Sequence, residues 1–167
     1  MNSASKSEQI LTLPVLVGGA LVLAVALLTR MAVGSPFYLL HKLNATGILP
    51  PIWCMSVLWM SAYALSGAVA GYLLSRPTGN AQREACLWRG CTFLILAIVF
   101  SLVWYTLLFG KHYLIPSWLC LLMSGGFALI CVRAWWSIGK WAALIALGFT
   151  LWQICLFFLQ FAVIMHA

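Results

Sequence analysis

The sequence predicts an all-α fold, an integral membrane bundle of five transmembrane helices. Three observations carry that prediction. The chain is 65% apolar and only 7% charged, its mean hydropathy is +1.07, and its apolar residues gather into five stretches parted by short polar joints. So little polar surface cannot cover a soluble globule, whereas a helix of roughly 20 apolar residues crosses the hydrocarbon core. Barrel strands would alternate polar and apolar residues, yet Phe93 to Phe100 is apolar at every position.

The chain reads as a single membrane domain over 1–167, with spans at about 10–29, 52–74, 86–109, 113–135 and 141–165 and a first loop at about 30–51. The first span follows Lys6 as a secretory signal would, but it exceeds a typical signal core and no A-x-A-like cleavage site follows Arg30, so it is expected to remain as a helix. Pro50 and Pro51 forbid helix and then fix φ for a helix start, so the second span should begin sharply at Ile52. Trp53 then lies at the interface, while Trp59 and Tyr63, four apart, share one face about two turns deeper. Gly67 and Gly71 form a G-x-x-x-G, with Ala62, Ser66 and Ala70 around them. Small residues let helix backbones approach in lipid, which leaves two readings: packing within the chain, or a homodimer face. Gly125 and Gly126 in the fourth span and Gly148 in the fifth are expected sites of close approach or bending.

Charge sets the orientation. With five spans, Lys6, Arg76, Arg83, Arg89, Arg133 and Lys140 fall on one side, and Arg30, Lys42 and Lys111 on the other. Basic loops stay inside, so the N-terminus is expected in the cytoplasm and the C-terminus outside. The net charge of +7 then serves topology and lipid-headgroup contact rather than nucleic-acid binding.

No catalytic constellation and no metal site emerge. The only acids, Glu8 and Glu84, lie outside the spans, so paired-carboxylate catalysis within the membrane is not available. Cys54, Cys120, Cys131 and Cys155 sit in or at the ends of apolar spans, as small hydrophobes do, and the Cys86–Cys91 spacing fits no common zinc pattern. His41, His112 and His166 are scattered over loops and the C-terminal end. Asn44-Ala45-Thr46 is a formal glycosylation sequon with meaning only in a eukaryotic secretory setting.

Three motifs in order carry a resemblance. Pro50-Pro51-Ile52-Trp53 is followed by Leu58-Trp59 to Tyr63 and Gly67; the third span holds Ser101-Leu102-Val103-Trp104-Tyr105-Thr106-Leu107-Leu108-Phe109-Gly110; the fifth holds Gly148-Phe149-Thr150-Leu151-Trp152 and Leu159-Gln160. From roughly Ser35 to the C-terminus the chain resembles the TspO/MBR family, the tryptophan-rich sensory or translocator proteins. It departs from the family pattern where Ser101 and Gln160 replace Asn, Gly148 replaces Pro, and Tyr105 replaces Ser or Pro. The two Asn changes alter groups that would bond between helices, and Gly148 should change how the fifth helix bends.

The resemblance implies a five-helix bundle with a pocket near the first loop for flat, apolar ligands: tetrapyrroles such as protoporphyrin IX and haem. It implies ligand-binding roles for Trp53 at the mouth and for Trp59, Tyr63, Trp104 and Trp152, with no obligatory cofactor. The leading expectation is a non-enzymatic tetrapyrrole-binding sensor or transport-related protein of a bacterial membrane, its partners a hydrophobic small molecule and the bilayer. Two alternatives stay open: a light-dependent porphyrin-degrading enzyme, and an assembly subunit of a membrane complex. Of the nine tryptophans, Trp88, Trp135, Trp136 and Trp141 fall at span ends and read as interfacial anchors. Trp118 has no assignment.

Overall fold

A computed structural model describes residues 3–33, 52–76 and 79–166. The first loop, with Pro50, Pro51 and His41, lies outside the described residues. The described residues form five α-helices: α1 Ser3–Val33, α2 Ile52–Leu74, α3 Ala81–Tyr105, α4 Leu114–Trp136 and α5 Lys140–His166. All five are long and apolar enough to cross a membrane. A π-helical turn, Thr106–Gly110, continues α3.

Two helices outrun their apolar runs. α1 begins at Ser3 rather than near Ile10, and α3 at Ala81 rather than Cys86. Hydropathy marks where a helix enters lipid, not where it starts. At α3 the start is set by Asn80, whose side chain accepts from the Gln82 amide at 2.9 Å, a cap that satisfies an otherwise orphaned N–H. Ala81, Gln82, Arg83 and Glu84 are good helix formers, and Glu84 in the first turn complements the helix dipole.

The far end of α3 closes through His112, which adopts φ 57° and lets the Tyr113 amide donate to Leu107 O at 3.0 Å. That bond reaches one residue further back than a Schellman closure would, in keeping with the wider π turn, and histidine holds the left-handed position that glycine usually fills.

Around the bundle, α1 packs along α2, α2 against α5, α5 against α4, and α4 against α3. Backbone contact between α2 and α3 is sparse, and large side chains fill the space between them. The α1–α2 contact is built on glycine. A methyl group on Gly18 would overlap the Gly67 carbonyl oxygen, one on Gly67 would overlap that of Gly18, and one on Gly71 would overlap that of Pro14. Gly67 and Gly71 therefore face α1 of the same chain. Gly125, Gly126 and Gly148 correct the expectation of close approach: a methyl group would meet only the Gln153 Cβ at 3.9 Å from Gly125, and nothing within 4 Å from the other two. Gly148 lies on an exposed face of an unbroken helix.

The tryptophan assignment also changes in one place. Trp88, Trp136 and Trp141 are exposed, but Trp135 is 0% exposed. Its indole lies over Gly90 of α3, against the space a Cβ would take. Trp135 is a packing residue between α3 and α4, although a span end suggested an anchor. Trp118 stacks on Phe157 of α5, with ring centroids 4.7 Å apart.

Candidate functional site

The seam between α2 and α3 holds the densest aromatic cluster. Trp59 and Tyr63 stand one turn apart on the inner face of α2, with ring centroids 4.9 Å apart. Trp59 reaches Tyr105 at the end of α3, at 5.4 Å, and Tyr63 meets Phe149 of α5 edge-on at 5.8 Å. Tyr105 continues to Phe109 in the π turn at 4.8 Å, and Trp104 packs edge-on against both Tyr105 and Phe109. Offset and edge contacts of this kind add about 0.5–1.5 kcal/mol per pair beyond burial. The wider π turn sits beside this cluster, and single π turns inside α-helices frequently mark functional sites.

Two polar chains cross the bundle behind the rings. In the first, the Tyr63 hydroxyl donates to Ser101 Oγ at 2.7 Å, and Gln153 Nε2 of α5 donates to the same oxygen at 3.0 Å. In the second, Trp104 Nε1 donates to Gln160 Oε1 at 2.6 Å. Gln160 Nε2 then donates to Ser117 Oγ at 2.6 Å and to Leu114 O at 2.8 Å. Hydrocarbon offers no substitute partners, so each group must be satisfied inside the bundle. Ser101 and Gln160, two of the positions that depart from the family pattern, are the nodes of these chains. Gln153 was not singled out by sequence. Its signal was there: Gln153 and Gln160 are seven apart, two turns along one helix face, in an otherwise apolar span.

The five candidate ligand residues do not form one constellation. Trp59, Tyr63 and Trp104 belong to the cluster. Trp53 is 70% exposed on the first turn of α2, away from the seam's described residues. Trp152 is half-buried beside the core on α5. Tyr105, noted in the sequence only as a departure, is the residue that links Trp59 to the π turn. Gly67 and Gly71 hold α1 against the back of α2, and so fix the helix that presents Trp59 and Tyr63.

Several buried donors in this region stay open. Trp59 Nε1, Tyr105 OH and Trp152 Nε1 have no hydrogen-bond partner among the described residues, although Trp59 is 6% and Tyr105 5% exposed. Trp118 Nε1 and Trp135 Nε1, outside the cluster, are likewise unpaired among the described residues; buried polar groups are nearly always paired, and beside the aromatic cluster a ligand or water would complete Trp59 and Tyr105. Among the described residues, no group of three or more His, Cys, Asp or Glu could hold a metal ion.

The sequence pattern of the TspO/MBR family matches residues 11–166, nearly the whole chain. The chain belongs to the TspO/MBR family. Nothing among curated proteins or solved structures matches it. The TspO/MBR match runs through all five helices, so the aromatic seam and both polar chains lie inside the family domain rather than in an appended segment. This TspO/MBR chain is an integral membrane protein.

Proposed function

We propose that this TspO/MBR protein binds a tetrapyrrole, such as protoporphyrin IX or haem, along the α2–α3 seam of a bacterial membrane, as a sensor or transport-related protein. Family membership supports a membrane role in tetrapyrrole binding or transport in general. The observation that carries the finer reading is Trp59, which bridges Tyr63 and Tyr105 where the α2 and α3 backbones stand apart. Flat aromatic walls suit a flat macrocycle, and sites of this type are mostly apolar with a few polar groups that fix orientation. Trp59, Tyr63 and Tyr105 would form the wall, with Trp104 supporting it from behind through Gln160. Trp152 and Trp53 are assigned peripheral contacts.

The test is a protoporphyrin IX titration of detergent-solubilised protein, read by tryptophan quenching and by the porphyrin absorption band. Saturable binding is expected, weakened about tenfold by Trp59→Ala, the scale of one lost aromatic contact with its burial. Equal binding by parent and variant would remove the seam from the site. Illumination of the complex separates binding from degradation: a new absorbing product that accumulates over many turnovers would make the protein an enzyme instead.

A further inference from the structure

We propose that the end of the seam beside the π turn reads a carboxylate: the Tyr105 hydroxyl, the Trp59 indole N–H and the Arg30 guanidinium hold the acidic group of a ligand whose apolar body lies between α2 and α3. The inference rests on the tetrapyrrole reading and names the chemistry by which the seam would choose among apolar ligands.

The two donors are neighbours. Trp59 and Tyr105 are more than nine-tenths buried, their rings are 5.4 Å apart, and neither polar atom has a partner among the described residues. Two nearby side-chain oxygens are already engaged, while the Tyr63 hydroxyl oxygen, beside the Trp59 N–H, keeps room to accept. Ser101 Oγ accepts from Tyr63 and Gln153, and Gln160 Oε1 accepts from Trp104. The Trp59 indole N–H can only donate and the Tyr105 hydroxyl donates as well as accepts, so the oxygens of one acidic group would satisfy both.

Charge points the same way. Arg30 is half-buried in the last turn of α1, three residues before Val33 and so on nearly the same face. That face meets the π turn, where a methyl group on Gly110 would stand 3.4 Å from Val33 Cγ1. α1 touches the π turn that follows Tyr105. Neither acidic side chain of the protein can match the Arg30 charge. Glu8 lies near the opposite end of α1, roughly 33 Å away at 1.5 Å per residue, and Glu84 lies about as far from Tyr105 along α3. In the last turn of a membrane helix a cationic side chain keeps its stem half-buried while its head stays near the interface, so Arg30 brings its charge to the end of the bundle that holds the π turn. A carboxylate offers the two oxygens a guanidinium fork engages, with lone pairs left for Tyr105 and Trp59.

Protoporphyrin IX carries carboxylates and its dimethyl ester does not, so the pair isolates the acidic group. Both are titrated into the parent, Arg30→Gln, Arg30→Lys and Tyr105→Phe in a neutral detergent. Each ligand is compared with itself across the variants, so differences in micelle partition cancel. Arg30→Gln is expected to weaken the diacid about tenfold, as one charge-assisted contact would, and to leave the diester unchanged. Arg30→Lys should retain most of the diacid affinity, which shows that charge rather than folding was lost. Tyr105→Phe should weaken the diacid several-fold.

Equal loss of diacid and diester in Arg30→Gln, or no loss of either, would overturn the carboxylate site while leaving tetrapyrrole binding intact. If neither porphyrin binds, the tetrapyrrole reading fails, and palmitate against methyl palmitate, read by the tryptophan fluorescence that Trp59→Phe removes, tests the site separately. An Arg30-dependent preference for palmitate would then support a fatty-acid source for the same chemistry. No preference would reject the site.

Discussion

The Trp104 indole N–H and the Gln160 amide oxygen are joined at 2.6 Å, which ties α3 to α5 in the half of the bundle that holds the π turn. Gln160 spends its other end on Ser117 and the Leu114 carbonyl of α4, so one side chain fastens three helices. Truncation of Gln160 strands several buried groups at once, and a stranded buried donor costs about 1–3 kcal/mol. Gln160→Leu is therefore expected to lower stability by about 2–4 kcal/mol, measured by unfolding in mixed micelles with rising SDS. A double-mutant cycle with Trp104→Phe should return a coupling of about 0.5–2 kcal/mol, the range for hydrogen bonds between membrane helices. Strict additivity would mean that the bond contributes nothing.

Ser101 and Ser124 provide a matched comparison. Ser101 Oγ serves both Tyr63 and Gln153, while Ser124 Oγ only donates to the Ala97 carbonyl at 2.7 Å, an oxygen that the α3 ladder already engages. Ser101→Ala should cost about 1–3 kcal/mol, because two buried partners lose their mate. Ser124→Ala strands no partner and should cost under about 1 kcal/mol. The same SDS titration ranks them, and the reverse order would contradict the polar chain.

The five spans were legible because hydrocarbon demands unbroken apolar runs, and these show in sequence without knowledge of neighbours. Trp59 and Tyr63 were legible as one helix face, because one-turn spacing is a local property, and the resemblance marked Trp104 as a candidate ligand residue. Partners were not legible. Trp135 at a span end looks like an anchor until Gly90, 45 positions away in sequence (135 − 90), is found beneath it. Gly18 has no meaning until Gly67 and Gly71 meet it. Tyr105 read as a mere departure, since what gives it a role is the approach of Trp59 from α2. Helix starts were blurred for another reason: Asn80 and the residues after it favour helix but not lipid.

Glycines should divide by what they face. A methyl group at Gly71 meets the Pro14 backbone carbonyl, and backbone cannot swing aside as a flexible side chain can, so Gly71→Ala should cost about 1–3 kcal/mol through displacement of α1. Gly148 faces open space, where Gly→Ala in a helix gains about 0.5–1 kcal/mol. The two substitutions should move the SDS midpoint in opposite directions. A shift of Gly71→Ala toward greater stability would refute the glycine-built α1–α2 contact.

Six basic residues on one side against three on the other predict an N-terminus in the cytoplasm and a C-terminus outside. The exposed Trp88, Trp136 and Trp141 lie on the six-residue side, as interfacial tryptophans should. A reporter that is active only outside the cytoplasm should therefore be active at the C-terminus and silent at the N-terminus. Combined Arg76→Gln, Arg83→Gln and Arg89→Gln changes reduce the count to three against three (6 − 3 = 3), and a mixed orientation is expected. A variant as uniform as the parent would show that another feature sets topology.

Gly90 and Trp135 meet between α3 and α4, where a Cβ on Gly90 would overlap the indole. Trp135 is wholly buried, so its indole has no free direction in which to retreat when a methyl group is added at Gly90. Overpacking in such a place costs about 1–3 kcal/mol. Gly90→Ala should therefore destabilise by that amount, and the loss should depend on the indole. In a Trp135→Leu background, itself destabilised by the smaller side chain, Gly90→Ala should cost little, because leucine leaves the methyl group room. The expected result is a compensating double variant, with a midpoint close to that of Trp135→Leu alone. Additive losses would mean that Gly90 matters through the backbone of α3 rather than through contact with the ring.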